Sequence, residues 1–236
     1  MHHAPDRDRG SRRILRHEDP RRPRLLFAWK GSWWATATVC DFSDGQREIA
    51  LLQLDEDGAV VHAEPLRGPW SVHAQKNWMP IVDAKSDGMK FIYATSLNGD
   101  VGSTMIFDLI EASDPDASPR YSIQPPSGAV FGHGRLRGGS QAVRVESGWI
   151  FCVHDVAFPG SGRMYLHRFV FIDDQFQLVS MTDPFYFEKL GIEFCAGLAL
   201  VDGKLVASYA VNDGSARLGI FDWERVRREL RKDFVI

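Results

Sequence analysis

The stretch Gln141-Ala142-Val143-Arg144-Val145-Glu146-Ser147-Gly148-Trp149-Ile150-Phe151 decides the fold. It is a β-branched run, a Ser-Gly turn and a second run of large apolar residues. Glycine accepts the positive φ that a tight turn between antiparallel strands requires, so the pattern reads as a β-hairpin. The pattern recurs three times: at Leu25-Leu26-Phe27-Ala28-Trp29-Lys30-Gly31-Ser32-Trp33-Trp34, at Met79-Pro80-Ile81-Val82 with Asp87-Gly88-Met89-Lys90-Phe91-Ile92-Tyr93, and at Gly197-Leu198-Ala199-Leu200 with Asp202-Gly203-Lys204-Leu205-Val206. The turn glycines stand at 31, 88, 148 and 203, so successive separations are 57, 60 and 55.

Working outward, each hairpin is followed by another pair of short strands, as at Glu48–Leu54 and Tyr165–Ile172. Four strands in a repeat of that length is the size of one propeller blade. Helical periodicity is confined to Trp223–Arg231, a short basic stretch. The sequence therefore predicts an all-β chain, a β-propeller with about four blades and a short C-terminal helix. A β-sandwich whose hairpins look alike by chance is the alternative, and three similar spacings in succession weigh against it.

Composition narrows the function. A chain of 236 residues with 44% hydrophobic and 25% charged residues can bury a globular core. Basic and acidic residues nearly balance, 28 against 31, so no global field favours nucleic acid or an anionic membrane. Cys40, Cys152 and Cys195 form no even disulfide framework and have no metal-ligand spacing, which predicts a reducing, cytoplasmic setting and no metal. No run approaches the ~18 apolar residues of a membrane span. Residues 1–17 read as a disordered leader without the apolar segment of a secretory signal, and 18–236 as a single domain. Asp114-Pro115-Asp116-Ala117-Ser118-Pro119 reads as an exposed loop.

In a propeller the first strand of each blade lines the central channel. The polar clusters of this chain fall just before those strands: His17-Glu18-Asp19-Pro20-Arg21, Gln75-Lys76-Asn77-Trp78, Arg135-Leu136-Arg137-Gly138-Gly139-Ser140-Gln141, and Glu193-Phe194-Cys195-Ala196-Gly197. His154-Asp155 and Asn212-Asp213 end the strands that follow. Side chains at one phase of successive repeats converge on one axis, which makes these the candidate site.

At these residues the sequence resembles the five-bladed β-propeller family of mannoside phosphorylases and related mannosyltransferases. Glu18-Asp19-Pro20-Arg21 matches that family's E-D-P-R signature, and Lys76-Asn77 its lysine-containing motif. Gly148-Trp149-Ile150-Phe151-Cys152-Val153-His154 resembles its G-W-L-x-x-Y-H segment, and Cys195-Ala196-Gly197 with Ser208-Tyr209-Ala210-Val211-Asn212-Asp213 its C-G-x and Y-G-A-A-D segment. Closer still is a similarity to bacterial propeller domains associated with glycosyltransferases. These carry E-K-N-W-M-P, R-G-G-S-Q, Y-x-H-R-F and G-I-E-F-C-A-G-L, where this chain has Gln75 in place of the first glutamate.

Inverting glycosyl transfer needs a carboxylic acid to protonate the leaving oxygen and a nucleophile on the opposite face of the sugar. The resemblance implies Asp19 as that acid. It implies Lys76, Arg137, His154 and Arg168 as a phosphate pocket, and Asn77, Trp78, Gln141, Asp155, Glu193 and Asp213 as sugar contacts. No cofactor is implied beyond inorganic phosphate or a sugar nucleotide as co-substrate, and the partner is a glycan or small sugar. Plainer readings stand beside these: Asp19 and Lys76 as solvated surface residues, His154 as a hydrogen-bonded core histidine, Gly138-Gly139 as a bulge admitting close backbone approach, Glu193 as a buried anchor, Asp213 as a strand end. A non-catalytic glycan-binding module of a glycosyltransferase system is therefore the alternative to an enzyme. The family's first blade has no counterpart in residues 1–17, so an exposed blade edge and a homodimer through it are expected.

Overall fold

The computed structural model describes residues 24–40, 42, 47–66, 77–82, 89–97, 101–110, 120–123, 130–131, 137–160, 162–176 and 178–231. The leader 1–17, the Glu18-Asp19-Pro20-Arg21 motif, Lys76, the Gly88 turn and the loop at 114–119 lie outside the described residues.

The described residues are almost all β, in four antiparallel sheets that follow the sequence. Sheet one is β1 (Arg24–Trp29), β2 (Ser32–Val39), β3 (Glu48–Leu54) and β4 (Val60–Leu66). Sheet two is β5 (Met79–Val82), β6 (Met89–Leu97), β7 (Val101–Ile110) and β8 (Arg120–Ile123), with β9 (Val130–Phe131) also on β7. Sheet three holds β10 (Arg137–Gly138) and β11 (Val143–Val145), both on β12 (Gly148–Ala157), then β13 (Met164–Asp173) and β14 (Leu178–Met181). Sheet four is β15 (Glu193–Val201), β16 (Lys204–Val211) and β17 (Ser215–Asp222), followed by α1 (Trp223–Glu229).

The first and last hairpins close as the sequence predicts. Lys30 and Gly31 have φ of 48° and 72°, and Asp202 and Gly203 have the same pair of values. Two left-handed residues in succession make the type I′ turn whose twist suits adjoining strands. The third hairpin differs. Val145 pairs with Gly148 across Glu146-Ser147, so the glycine begins β12 instead of making the turn. A Cβ on Gly148 would collide with the Ile172 carbonyl oxygen of β13, which is what excludes a side chain there.

The leading strands adjoin one another. β1 touches both β5 and β15, and β11 touches β15. The Ala142 N–H donates to the Pro80 carbonyl at 2.9 Å, and Ala142 forms a parallel bridge with Ile81. Apolar layers fill the spaces between sheets: Phe27, Leu51, Trp78 and Phe91 between one and two, Met79, Ile92, Phe151 and Val170 between two and three, Cys152, Phe169, Cys195 and Leu205 between three and four. In β3, Ile49 and Leu51 join one cluster while Ala50 and Leu52 join another, the alternation of a strand buried on both faces.

α1 starts where Asp222 caps it, its carboxylate accepting the Arg225 N–H at 3.1 Å. Arg227 and Arg228 in its last turn suit the negative end of the helix dipole. The helix stops at Glu229, short of the predicted Arg231, because Arg231 exchanges two backbone hydrogen bonds with Met181 at the edge of sheet three. Among the described residues no helix is long and apolar enough to cross a membrane.

Candidate functional site

Arg137 and His154 face each other across the β10–β12 pair, so their side chains share one face. That face turns toward sheet four, since Cys152, two residues before His154, packs in the core between sheets three and four. The segment Arg137-Gly138-Gly139-Ser140-Gln141 is shaped by close approach. A Cβ on Gly138 would strike the Asn77 carbonyl oxygen, and one on Gly139 would stand 2.6 Å from the Cys152 carbonyl oxygen. Ser140 stitches the segment to β12: its N–H donates to the Cys152 carbonyl at 3.1 Å and its Oγ accepts the Cys152 N–H at 2.9 Å. Asn77, with φ of 56°, is thereby pressed against β10 at Gly138, on the face opposite the Arg137 and His154 side chains. Asn77, Gly139, Phe194, Thr36 and Leu25 surround a pocket of about 20 Å³, room for one water molecule.

His154 is 2% exposed and its ring stacks on Tyr165 at 4.6 Å, with the edge of Phe194 at 5.6 Å and His167 at 6.1 Å. Its Nδ1 and both ring nitrogens of His167 are buried without a hydrogen-bond partner. Burial, then the neighbouring charges of His167 and Arg137, pushes the His154 pKa down to about 3. Burial takes His167 down to about 4 against the opposing pull of the Glu193 carboxylate. Both imidazoles are neutral at physiological pH. His154 therefore adds no positive charge to the cluster, contrary to expectation; the cation there is Arg137, which is exposed.

The remaining sequence candidates disperse. Glu193 is fully buried, and its two carboxylate oxygens accept the backbone N–H groups of Phe187 at 2.7 Å and of Glu188 and Lys189 at 2.9 Å. It is the anchor of the loop before β15, with its acceptor capacity committed. Gln141 bridges sheets three and four: its Nε2 donates to the Leu198 carbonyl at 2.7 Å and its Oε1 accepts the Leu198 N–H at 3.3 Å. Arg168 donates to the Thr182 carbonyl at 2.9 Å. Alternation along β12 and β13 puts Asp155 and Arg168 on the sheet-two side, opposite His154. Trp78 is 1% exposed and tilted against Phe91 in the core, so its ring face meets no ligand. Asp213 sits exposed in the β16–β17 turn at φ of 51°. Asp19 and Lys76 lie outside the described residues. What the sequence reading passed over is His167 with Tyr165 and Phe194. The signal was present in Tyr165-Leu166-His167, whose period of two puts both rings on the face that His154 shares.

A larger cleft of about 480 Å³ lies where the leading strands meet, lined by Leu26, Trp33, Val82, Gln141, Ser208 and Leu218 among others. Among the described residues no group of three or more His, Cys, Asp or Glu is placed to hold a metal ion.

No protein-family model matches the sequence, and no curated protein matches it. Solved structures do. The structure of β-1,2-mannobiose phosphorylase from Listeria innocua with β-1,2-mannobiose superposes with a TM-score of 0.61 at 17% identity, covering 88% of this chain and 59% of that one. A glycosyl hydrolase from Bacteroides ovatus superposes with a TM-score of 0.53 at 13% identity, covering 86% of this chain and 65% of that one. The chain thus spans about three fifths of the length of the phosphorylase it matches. The resemblance first carried by short motifs holds in three dimensions, and the chain has the fold of these glycoside phosphorylase and glycosyl hydrolase structures.

Proposed function

We propose that the four sheets are blades of a β-propeller of the five-bladed glycosidase type, and that its leading face acts on a mannoside-like glycan beside phosphate or the diphosphate of a sugar nucleotide. The observation that carries this is the Arg137–His154 pair at the leading end of sheet three, with the Asn77 backbone packed at Gly138 on the other face of the same strand. A guanidinium can grip phosphate as a bidentate fork, and a neutral imidazole can donate one N–H without competing for the charge. Asp19 serves as general acid: its carboxyl protonates the glycosidic oxygen as phosphate attacks the anomeric carbon from the opposite face, inverting the centre. Lys76 adds a point charge to the phosphate, and Asn77 a hydrogen bond to a sugar hydroxyl.

Thermal unfolding with inorganic phosphate, β-mannosides and sugar nucleotides tests the reading. A ligand at about 100 times its dissociation constant stabilises by roughly 2.7 kcal/mol. Phosphate and mannoside should each raise the midpoint, and Arg137→Met should abolish only the phosphate effect. Asp19→Asn should cut turnover by orders of magnitude at nearly unchanged affinity, because the amide keeps the shape without the proton. No shift with any of these ligands overturns the proposal.

A non-catalytic glycan-binding module is the second reading. It is favoured by the size of the pocket beside Asn77, about 20 Å³, and by the commitment of Glu193 to the backbone. Stabilisation by glycan alone, with neither a phosphate effect nor turnover, would select it.

A further inference from the structure

β17 is the outer strand of sheet four and pairs only with β16 among the described residues. An unpaired strand edge is a template for another strand unless it is blunted. Two other edges are. β4 carries Pro65, Glu64 and His62 and breaks register with β3 beyond Gln53, while β14 is met at Met181 by Arg231. β17 holds no proline, all eight residues keep one register with β16, and its charges, Arg217 and Asp222, are paired within the chain with Glu188 and Lys204. Leu218 and Ile220 project from one face of it, each 70% exposed. α1 leaves that face open, because its buried Val226 inserts between sheets three and four, on the opposite side.

We propose that β17 pairs antiparallel with β17 of a second copy, about a two-fold axis through Gly219, into a continuous six-stranded sheet. A two-fold axis normal to a sheet keeps each face on its own side, so opposed residues must have the same facing. The register centred on Gly219 meets this condition and sets Leu218 opposite the partner's Ile220, and Ile220 opposite the partner's Leu218. Four apolar side chains that water now surrounds then cover one another. The charges are complementary as well. The same register carries Asp213, in the turn before β17, toward the start of the partner's α1, where Arg225 stands. Neither Asp213 nor Arg225 has an ion pair among the described residues. Leu218 also lines the 480 Å³ cleft, so the second copy closes one side of it.

Sedimentation equilibrium of the full chain from micromolar to millimolar concentration should show a reversible monomer–dimer equilibrium. Leu218→Lys with Ile220→Lys should leave a monomer throughout, with unchanged circular dichroism because both sites are exposed. Arg225→Glu should weaken the dimer several-fold, more at low salt than at high. Leu218→Cys with Ile220→Cys should give a covalent dimer on oxidation, with peptide mapping joining position 218 of one copy to 220 of the other. A wild-type monomer at millimolar concentration overturns the proposal. So does a dimer that survives the lysine pair, or a cross-link joining 218 to 218.

Discussion

The carbonyl oxygen of Asn77 occupies the space that a Cβ on Gly138 would need. This contact joins the leading end of sheet two to the first strand of sheet three, one residue from Arg137 and beside the partner of His154. The glycine is there because two backbones pass too closely for any side chain, and the position of Arg137 depends on that closeness.

Gly138→Ala should therefore destabilise the fold by about 1–3 kcal/mol or more, since the obstructing atom is backbone and cannot rotate away. Gly162→Ala, where the nearest atom is 3.6 Å from the added methyl, should be nearly neutral. Urea unfolding of the two variants side by side is the measurement, and equal midpoints would refute the argument.

Gln141 supplies both halves of one amide to Leu198, across 57 residues of sequence. Gln141→Leu keeps the bulk but leaves the Leu198 N–H and C=O without partners, at a cost of about 1–3 kcal/mol. Gln141→Glu should also lose stability, because a carboxylate cannot donate to the Leu198 carbonyl. Loss of amide protection at Leu198 by hydrogen exchange would localise the effect.

Glu193→Gln replaces one of two acceptor oxygens that face three N–H donors with a donor. The expected loss is about 2–3 kcal/mol, because these bonds are charge-assisted and buried. The segment 183–191 should become the first site of limited proteolysis. An unchanged cleavage pattern would show that the carboxylate does not hold this loop.

The buried histidines make stability acid-sensitive. Both folded pKa values, about 3 for His154 and about 4 for His167, lie below the value of 6.5. Below about pH 6.5 the unfolded chain takes up protons that the folded protein refuses. Stability therefore falls as pH drops from 6.5, and stops falling on this account near pH 4 for His167 and pH 3 for His154. The slope approaches about 1.4 kcal/mol per pH unit for each histidine. His167→Phe should roughly halve the slope between pH 6 and 4, read from urea midpoints at a series of pH values.

The hairpins were legible because Lys30-Gly31 and Asp202-Gly203 permit little else between two apolar runs. The third was legible as a hairpin, yet its glycine answers to the Ile172 carbonyl of another strand and not to the turn. The candidate site was legible only as residue types. Arg137 and His154 come together, with Asn77 on the other face of their strand, whereas Glu193, Gln141 and Arg168 spend their polar atoms on backbone, and Trp78 is enclosed.

By itself the sequence determined what is local: the order of strands, the two type I′ turns, the capped helix after β17 and the even balance of charge. These follow from near neighbours, since turn dihedrals, alternation and capping act over a few residues. Only the tertiary structure decided which face of each strand met which sheet. Strands such as β3 and β12 are buried on both sides, so a period of two tells which residues share a face but not what that face touches. That is why His154 is neutral against His167 and Phe194, why Gln141 finds Leu198, and why Leu218 and Ile220 are left in water.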